Sequence, residues 1–203
     1  MQPSPLTRLA APFALAAGGV FIVAQILLLM TLDVTDKTAT AANPVFVITQ
    51  AAYFFGFCIL LLALIAAYGW QAGEAGALGM VAFCAAVIGT TFLAGDLWFD
   101  AFAGPWIIAA APEVANEPSG VIVIGAFASY TLFALGWILF GLASLRARVF
   151  PVMVSLAIVG GGGVGFFALV PPWGIPLGLA FIGLGAWMTR SGARVPAATP
   201  AAA

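Results

Sequence analysis

Ile59-Leu60-Leu61-Leu62-Ala63-Leu64-Ile65 runs through the middle of a stretch, 38–73, that contains no charged side chain. A half-buried strand alternates apolar and polar positions, and a soluble surface helix keeps a polar stripe. This heptad does neither, so it needs apolar surroundings on every side. Four more charge-free stretches, 9–32, 75–95, 118–145 and 149–189, read the same way. A helix needs about 20 apolar residues to cross ~30 Å of hydrocarbon at ~1.5 Å per residue. The longest stretch is interrupted by Pro171-Pro172-Trp173-Gly174, a strong turn signal, and divides in two. The expectation is an all-α, polytopic membrane helix bundle with six transmembrane helices near 10–32, 45–68, 79–99, 120–145, 151–170 and 174–189. Lipid offers no partners to backbone N–H and C=O groups, which is why continuously apolar spans must be helical.

Composition agrees. Hydrophobic residues make up 64% of the 203 and charged residues 6%, against roughly 25% charged in an average soluble domain. So few charges cannot cover the surface of a soluble fold this size. The length suits one transmembrane domain, 1–190. The remainder, 191–203, ends PAATPAAA and has no pattern that could pack, so it reads as a disordered cytoplasmic tail. The first apolar run exceeds the roughly 7–15 residues of a signal-peptide core. Asp33, Asp36 and Lys37 also separate it from the small residues Ala39-Thr40-Ala41, so it reads as an uncleaved span.

Charge asymmetry sets an expected orientation. With the N-terminus inside, Arg8, Arg146, Arg148, Arg190 and Arg194 fall on the cytoplasmic side and Lys37 alone outside. Asp33, Asp36, Asp96, Asp100, Glu113 and Glu117 fall outside, and Glu74 stays in. Trp98, Trp106 and Trp173 then lie at outer ends, with Trp70, Trp137 and Trp187 toward inner ones, as interfacial belts require. Both termini are expected to be cytoplasmic, with a basic inner face suited to anionic lipid.

Several chemistries are excluded by residue type. There is no histidine, which removes bis-histidine haem, histidine-bearing zinc sites and Ser-His or Cys-His pairs. The one lysine, Lys37, lies in an outer loop, so no intramembrane Schiff base is available. No basic run suggests nucleic acid, and no cofactor is expected. Cys58 and Cys84 lack a CxxC spacing and read first as packing residues, alternatively as a redox pair. Gly160-Gly161-Gly162-Gly163 sits inside a span without a phosphate-loop lysine. With Gly178, Gly183 and Gly185 it suggests that the last two spans pack closely as a hairpin, and a kink at the run is the alternative.

Polar residues within spans are the best functional pointers in a membrane protein. Gln25, Thr49, Gln50, Tyr53, Thr90 and Thr91 fall in the outer half, and Ser129, Tyr130 and Thr131 near mid-depth. The inner half is expected to hold little beyond Ser155. The simpler reading is interhelical hydrogen bonding; the alternative is a cavity open to the outside.

In GDLWFD, Asp96 and Asp100 share a helical face near the outer surface, and Glu113 and Glu117 repeat the spacing in PEVANEP. The simpler reading is solvated loop charge with helix capping. The alternative is one outer cluster of Asp96, Asp100, Glu113 and Glu117 with Gln25, Gln50, Tyr53 and Tyr130. Such a cluster would hold a divalent cation, Ca²⁺ or Mg²⁺, or retain a proton, with the deeper Asp96 as its holder. The long connection 101–119 carries Gly104-Pro105-Trp106-Ile107-Ile108 and reads as an interfacial or re-entrant segment over the outer mouth.

GWILFGLASLRARVFP (Gly136 to Pro151) and DLWFDAFAGPW (Asp96 to Trp106) resemble the corresponding parts of small bacterial six-span membrane proteins. The resemblance covers about the latter half of the chain and implies a fold but no activity. Arginine in preference to lysine, with abundant alanine, fits a GC-rich bacterial genome. The chain is therefore expected in a bacterial inner membrane, as a non-enzymatic accessory component that binds a membrane-protein partner. The second expectation is a small carrier or channel with an acidic outward vestibule for a cation or small solute. An intramembrane enzyme comes third, since it would have to work with carboxylates and tyrosines alone.

Overall fold

The computed structural model describes residues 8–33, 35–113 and 119–192, and every regular element among them is helical. Arg194, Glu117 and nearly all of the expected tail lie outside the described residues. The first helix, α1 (Ala10–Thr31), is the first expected span. Asp36 then accepts the Ala39 N–H at 2.8 Å and starts the short α2 (Lys37–Ala42). Asn43 accepts the Val45 N–H at 2.9 Å and starts α3 (Pro44–Trp98), where Pro44 fills a first-turn position that needs no donor.

With a π-helical turn at Phe99–Ala103 and α4 (Gly104–Ala110), helix continues for 67 residues. Straight, it would be about 100 Å long, three times the hydrocarbon core. It is folded back at Gly76, where φ is 57° and ψ −153°, a conformation that side chains disfavour. The reversal is proved by the rings of Tyr68 and Phe83, which stack with centroids 4.3 Å apart. Along an unbroken helix those residues would stand about 22 Å apart. Segments 44–75 and 77–98 are therefore antiparallel arms. The expected span 45–68 lies within the first and 79–99 overruns the second by one residue, but the linker between is helix up to a one-residue turn.

The remaining elements are α5 (Gly120–Ala147), capped by Ser119 and ending at Arg148 in the left-handed region with φ 55°, then α6 (Val152–Val164) and α7 (Gly174–Gly192). A 3₁₀ turn, Gly165–Phe167, follows α6. Together α6 and that turn reach only about 25 Å, short of the span expected over 151–170. The chain then turns through Pro171-Pro172-Trp173, as the sequence indicated.

The glycine run is continuous helix without a kink. Gly161 faces α7, where an added Cβ would lie 3.0 Å from the Cβ of Ala180, and Gly162 faces the backbone of Trp137 and Ile138. Gly178 and Gly185 serve a different contact from the one expected. They press on Gly18, Leu15 and Ala11 of α1, while Gly183 faces open space. Small residues let the helices approach where lipid supplies no hydrophobic drive between them. The same device joins the second arm of α3 to α5: a Cβ on Gly136 would lie 2.6 Å from the backbone of Ala85 and Ala86.

The centre of the bundle is aromatic. Phe21 meets Phe57 at 4.6 Å and Phe181 at 5.9 Å, and Trp137 meets Phe181 at 4.8 Å. Trp137 is thus a core residue and not part of an interfacial belt; its indole N–H donates to Thr90 Oγ1 at 2.9 Å. Trp70, Trp187 and Phe150 close the end of the bundle that carries Arg146, Arg148 and Arg190, with ring contacts of 5.8 and 5.3 Å. Outside, Ile48, Val81, Val121, Ile124 and Met153 are all more than half exposed. Such a surface would aggregate in water and fits a helical membrane bundle.

Candidate functional site

Pro105 shapes the acidic end of the molecule. A proline within a helix has no N–H to give, and its ring clashes with the carbonyl four residues back. Here the helix widens to a π-turn over Phe99–Ala103, with the Gly104 N–H bonded to the Phe99 carbonyl. Helix therefore continues to Ala110, and the expected re-entrant loop begins too early in the sequence reading. The π-turn also changes how residue 100 projects relative to residue 96.

Asp100 turns into a cavity of about 360 Å³, walled by α1, α2, the start of α3, the π-turn, α4, α5 and the turn after α6. Its polar wall is Asp33, Thr40, Gln50, Asp100 and Tyr130, and its apolar wall includes Leu28, Phe46 and Ile108. Asp96 is not on the lining; the hydroxyl of Tyr130 reaches toward its carboxyl. Asp100 sits among more protein atoms than Asp96, so the deeper, enclosed acid is Asp100, reversing the expectation. Among the described residues Asp100 has no hydrogen-bond donor or ion-pair partner. Gln50 is 7% exposed, and its Oε1 is buried without a partner.

At the rim, Asp33 takes the Thr35 hydroxyl at 2.6 Å and the Thr35 N–H at 2.8 Å, which hold its carboxyl below the usual carboxylate range. The Asp33 N–H donates to Thr40 Oγ1 at 2.9 Å, and that hydroxyl donates back to the Asp33 carbonyl. The loop between α1 and α2 is thereby tied across the mouth.

Gln25 and Tyr53 do something else. Helix ends leave backbone groups unpaired, and lipid cannot satisfy them. The Ala168 carbonyl, just past α6, accepts from Gln25 Nε2 at 2.8 Å and from the Tyr53 hydroxyl at 2.7 Å. The Gly174 N–H, at the start of α7, donates to Gln25 Oε1 at 3.1 Å. One glutamine thus caps the end of one helix and the beginning of the next. Gly174 is required here, since a Cβ would lie 2.6 Å from both the Gln25 side chain and the Tyr53 hydroxyl. These two residues form a structural lock beneath the cavity and do not join the acids.

The other polar residues divide in the same way. Thr90, Thr91, Ser129 and Thr131 return their hydroxyls to carbonyls four residues earlier in their own helices. At the opposite end Ser144 donates to Gln71 Oε1 at 2.7 Å, both fully buried. The expected span stops at residue 68, so Gln71 is not among the polar residues expected in that half. Cys58 and Cys84 are both free thiols.

The acids do not gather as a metal centre: among the described residues no three acidic or cysteine side chains converge to hold an ion. Glu113 is exposed, and Glu117 lies outside the described residues. The chain matches no family model, no curated protein and no solved structure.

Proposed function

We propose that this chain is a non-enzymatic six-span protein of a bacterial inner membrane, with both termini cytoplasmic, that binds a small solute at its outward face. The observation that carries the reading is the cavity lined by the side chain of Gln50 and by the carboxyl of Asp100, which has no partner among the described residues. A carboxyl without a partner on the wall of a largely apolar cavity is where a ligand would supply one. Phe21, Phe57, Phe181 and Trp137 fill the bundle centre beneath, which favours binding over open conduction. The topology rests on the arginine bias and on the reversal at Gly76, which turns one long helix into two crossings.

Two experiments test it. Reporter fusions after Lys37, Glu74, Glu113, Arg148 and Trp173 should alternate out, in, out, in, out; a periplasmic C-terminus overturns the orientation. A thermal-shift screen of cationic, neutral and anionic small solutes on purified protein should find one class that stabilises the parent. The variant Ile108→Trp, which fills the cavity, should lose that response. No response to any class overturns the solute reading.

The accessory reading has support of its own. Between α1 and the first arm of α3 runs an apolar groove of about 490 Å³ lined by Gly19, Val23, Ile48 and Thr49. Thr49 Oγ1 is buried there without a partner. A partner's transmembrane helix would lie in this groove, and crosslinking from Val23→Cys in membranes should then trap one discrete adduct.

A further inference from the structure

We propose that the turn between α6 and α7 lies within the hydrocarbon of the bilayer, where acyl chains of the nearer leaflet cover its exposed side. The inference rests on the membrane-spanning reading above and adds a depth to it. That depth follows from where the helices meet. Gly162 of α6 stands against the backbone of Trp137 and Ile138 of α5. From that level α6 and its 3₁₀ turn rise only about 9 Å further, to Phe167, whereas α5 runs on for about 26 Å to Gly120. On the other flank Gly174 presses on the side chain of Gln25, and α1 continues about 9 Å beyond it to Thr31. The hairpin therefore stops short of both neighbours. Their overhanging segments are apolar on their free faces: Leu29 and Met30 of α1 and Val121 and Ile124 of α5 are all more than half exposed. Side chains of that kind belong in hydrocarbon, whose boundary then lies beyond the level of the turn.

A turn in water leaves its amides to the solvent, whereas one in lipid must satisfy them from within. The segment 168–175 does the second. Pro171 and Pro172 have no N–H to satisfy. The N–H groups of Ala168, Val170, Trp173 and Ile175 donate to the carbonyls of Gly165, Phe167, Val170 and Pro172 at 2.9–3.0 Å. The Gly174 N–H takes Gln25 Oε1, and the Ala168 carbonyl receives both Gln25 and Tyr53. Gln25 and Tyr53 are then needed because the water that would cap an exposed helix end does not reach this one. No charge occurs over 149–189. What the turn presents outward is Phe167, Val170 and Trp173, each about half exposed, with the rings of Phe167 and Trp173 6.2 Å apart. Water gains nothing from such a surface, and an acyl chain, which asks for no hydrogen bond, fits it.

The test uses the full chain with Cys58→Ser and Cys84→Ser, in phosphatidylcholine nanodiscs whose two faces both meet the solvent. One cysteine is then added at a time: Val170→Cys or Trp173→Cys in the turn, Met30→Cys on α1, or Thr38→Cys on α2. A charged maleimide needs a hydrated thiolate, so Val170→Cys and Trp173→Cys should react roughly tenfold or more slowly than Thr38→Cys. A fluorophore attached at 170 or 173 should be quenched by a lipid spin-labelled on its acyl chain at least as strongly as one attached at 30, and one attached at 38 should not. Val170 is an exposed position, so its variant reads the depth even where loss of the Trp173 ring weakens the fold. Fast reaction and weak quenching at 170 and 173, with Met30→Cys still quenched, would put the turn in water; the proposal is then overturned and the spanning reading stands. Absence of quenching at Met30→Cys as well removes both.

Discussion

Two polar regions stand one above the other at the acidic end of this bundle, and their side chains meet opposite fates. In the lock, Gln25 and Tyr53 are fully buried, Gln25 Nε2 donates to the Tyr53 hydroxyl, and their other bonds complete helix termini. At the cavity, Gln50 lies one turn before Tyr53 on α3 with its Oε1 buried and unpartnered, and Asp100 on the π-turn lines the space with no partner among the described residues. The same residue type, glutamine, is structural in one place and unspent in the other. What separates them is geometry at the helix ends: the chain returns close enough over 168–174 to use Gln25, whereas no donor reaches the Gln50 Oε1. A polar group buried in lipid is therefore no guide to function until its partners have been counted.

The largest effect should come from dismantling the lock. Gln25→Leu combined with Tyr53→Phe leaves the Ala168 carbonyl and the Gly174 N–H unpaired in an apolar setting. At about 1–3 kcal/mol for each orphaned group, roughly 2–6 kcal/mol of stability should be lost, read as a lower melting temperature in detergent. A loss below about 1 kcal/mol would mean that water reaches the 168–174 turn, and the contrast with the cavity would disappear.

Packing around the lock comes next. Gly161→Leu should cost about 1–3 kcal/mol by driving a side chain into Leu177 and Ala180, while Gly160→Leu, facing open space, should be neutral. Equal effects on unfolding would show that α6 and α7 are not held in register.

At the cavity the sign should differ. Gln50→Leu removes an acceptor that has no donor, so unliganded stability should stay within about 0.5 kcal/mol of the parent or rise slightly. A loss as large as that from the lock would mean that Gln50 is already satisfied and the comparison fails.

The smallest effect concerns pH at the rim. The Asp33 carboxyl is held below its ordinary value by Thr35, so its bonds favour the folded loop wherever the group is ionised. That contribution is complete above the unfolded pKa, about 3.9, and is lost as pH falls through the lower folded value. Amide exchange at Thr35 and Thr40 should therefore accelerate only in strong acid, and Thr35→Val should move the onset to higher pH. Acceleration already at neutral pH would show that the 33–40 ring is not closed in solution.

Read alone, the sequence determined the helical class of the molecule and the approximate positions of its long apolar helices, because those follow from local quantities. Charge-free runs such as 45–68 and 118–145 are apolar on every side and long enough for a membrane helix. The acidic end was legible too, since Asp33, Asp96 and Asp100 are countable. Three things were settled only by the tertiary structure. Gly76 reverses the chain in one residue, although nothing local distinguishes it from Gly69 or Gly73. Pro105 imposes a π-turn that sends Asp100, and not Asp96, into the cavity. Gln25 finds its partners 143 and 149 positions away, a distance along the chain that no periodicity encodes. Hydrophobicity acts residue by residue and can be read in order; hydrogen-bond satisfaction belongs to pairs, and the pairs exist only once the helices have packed.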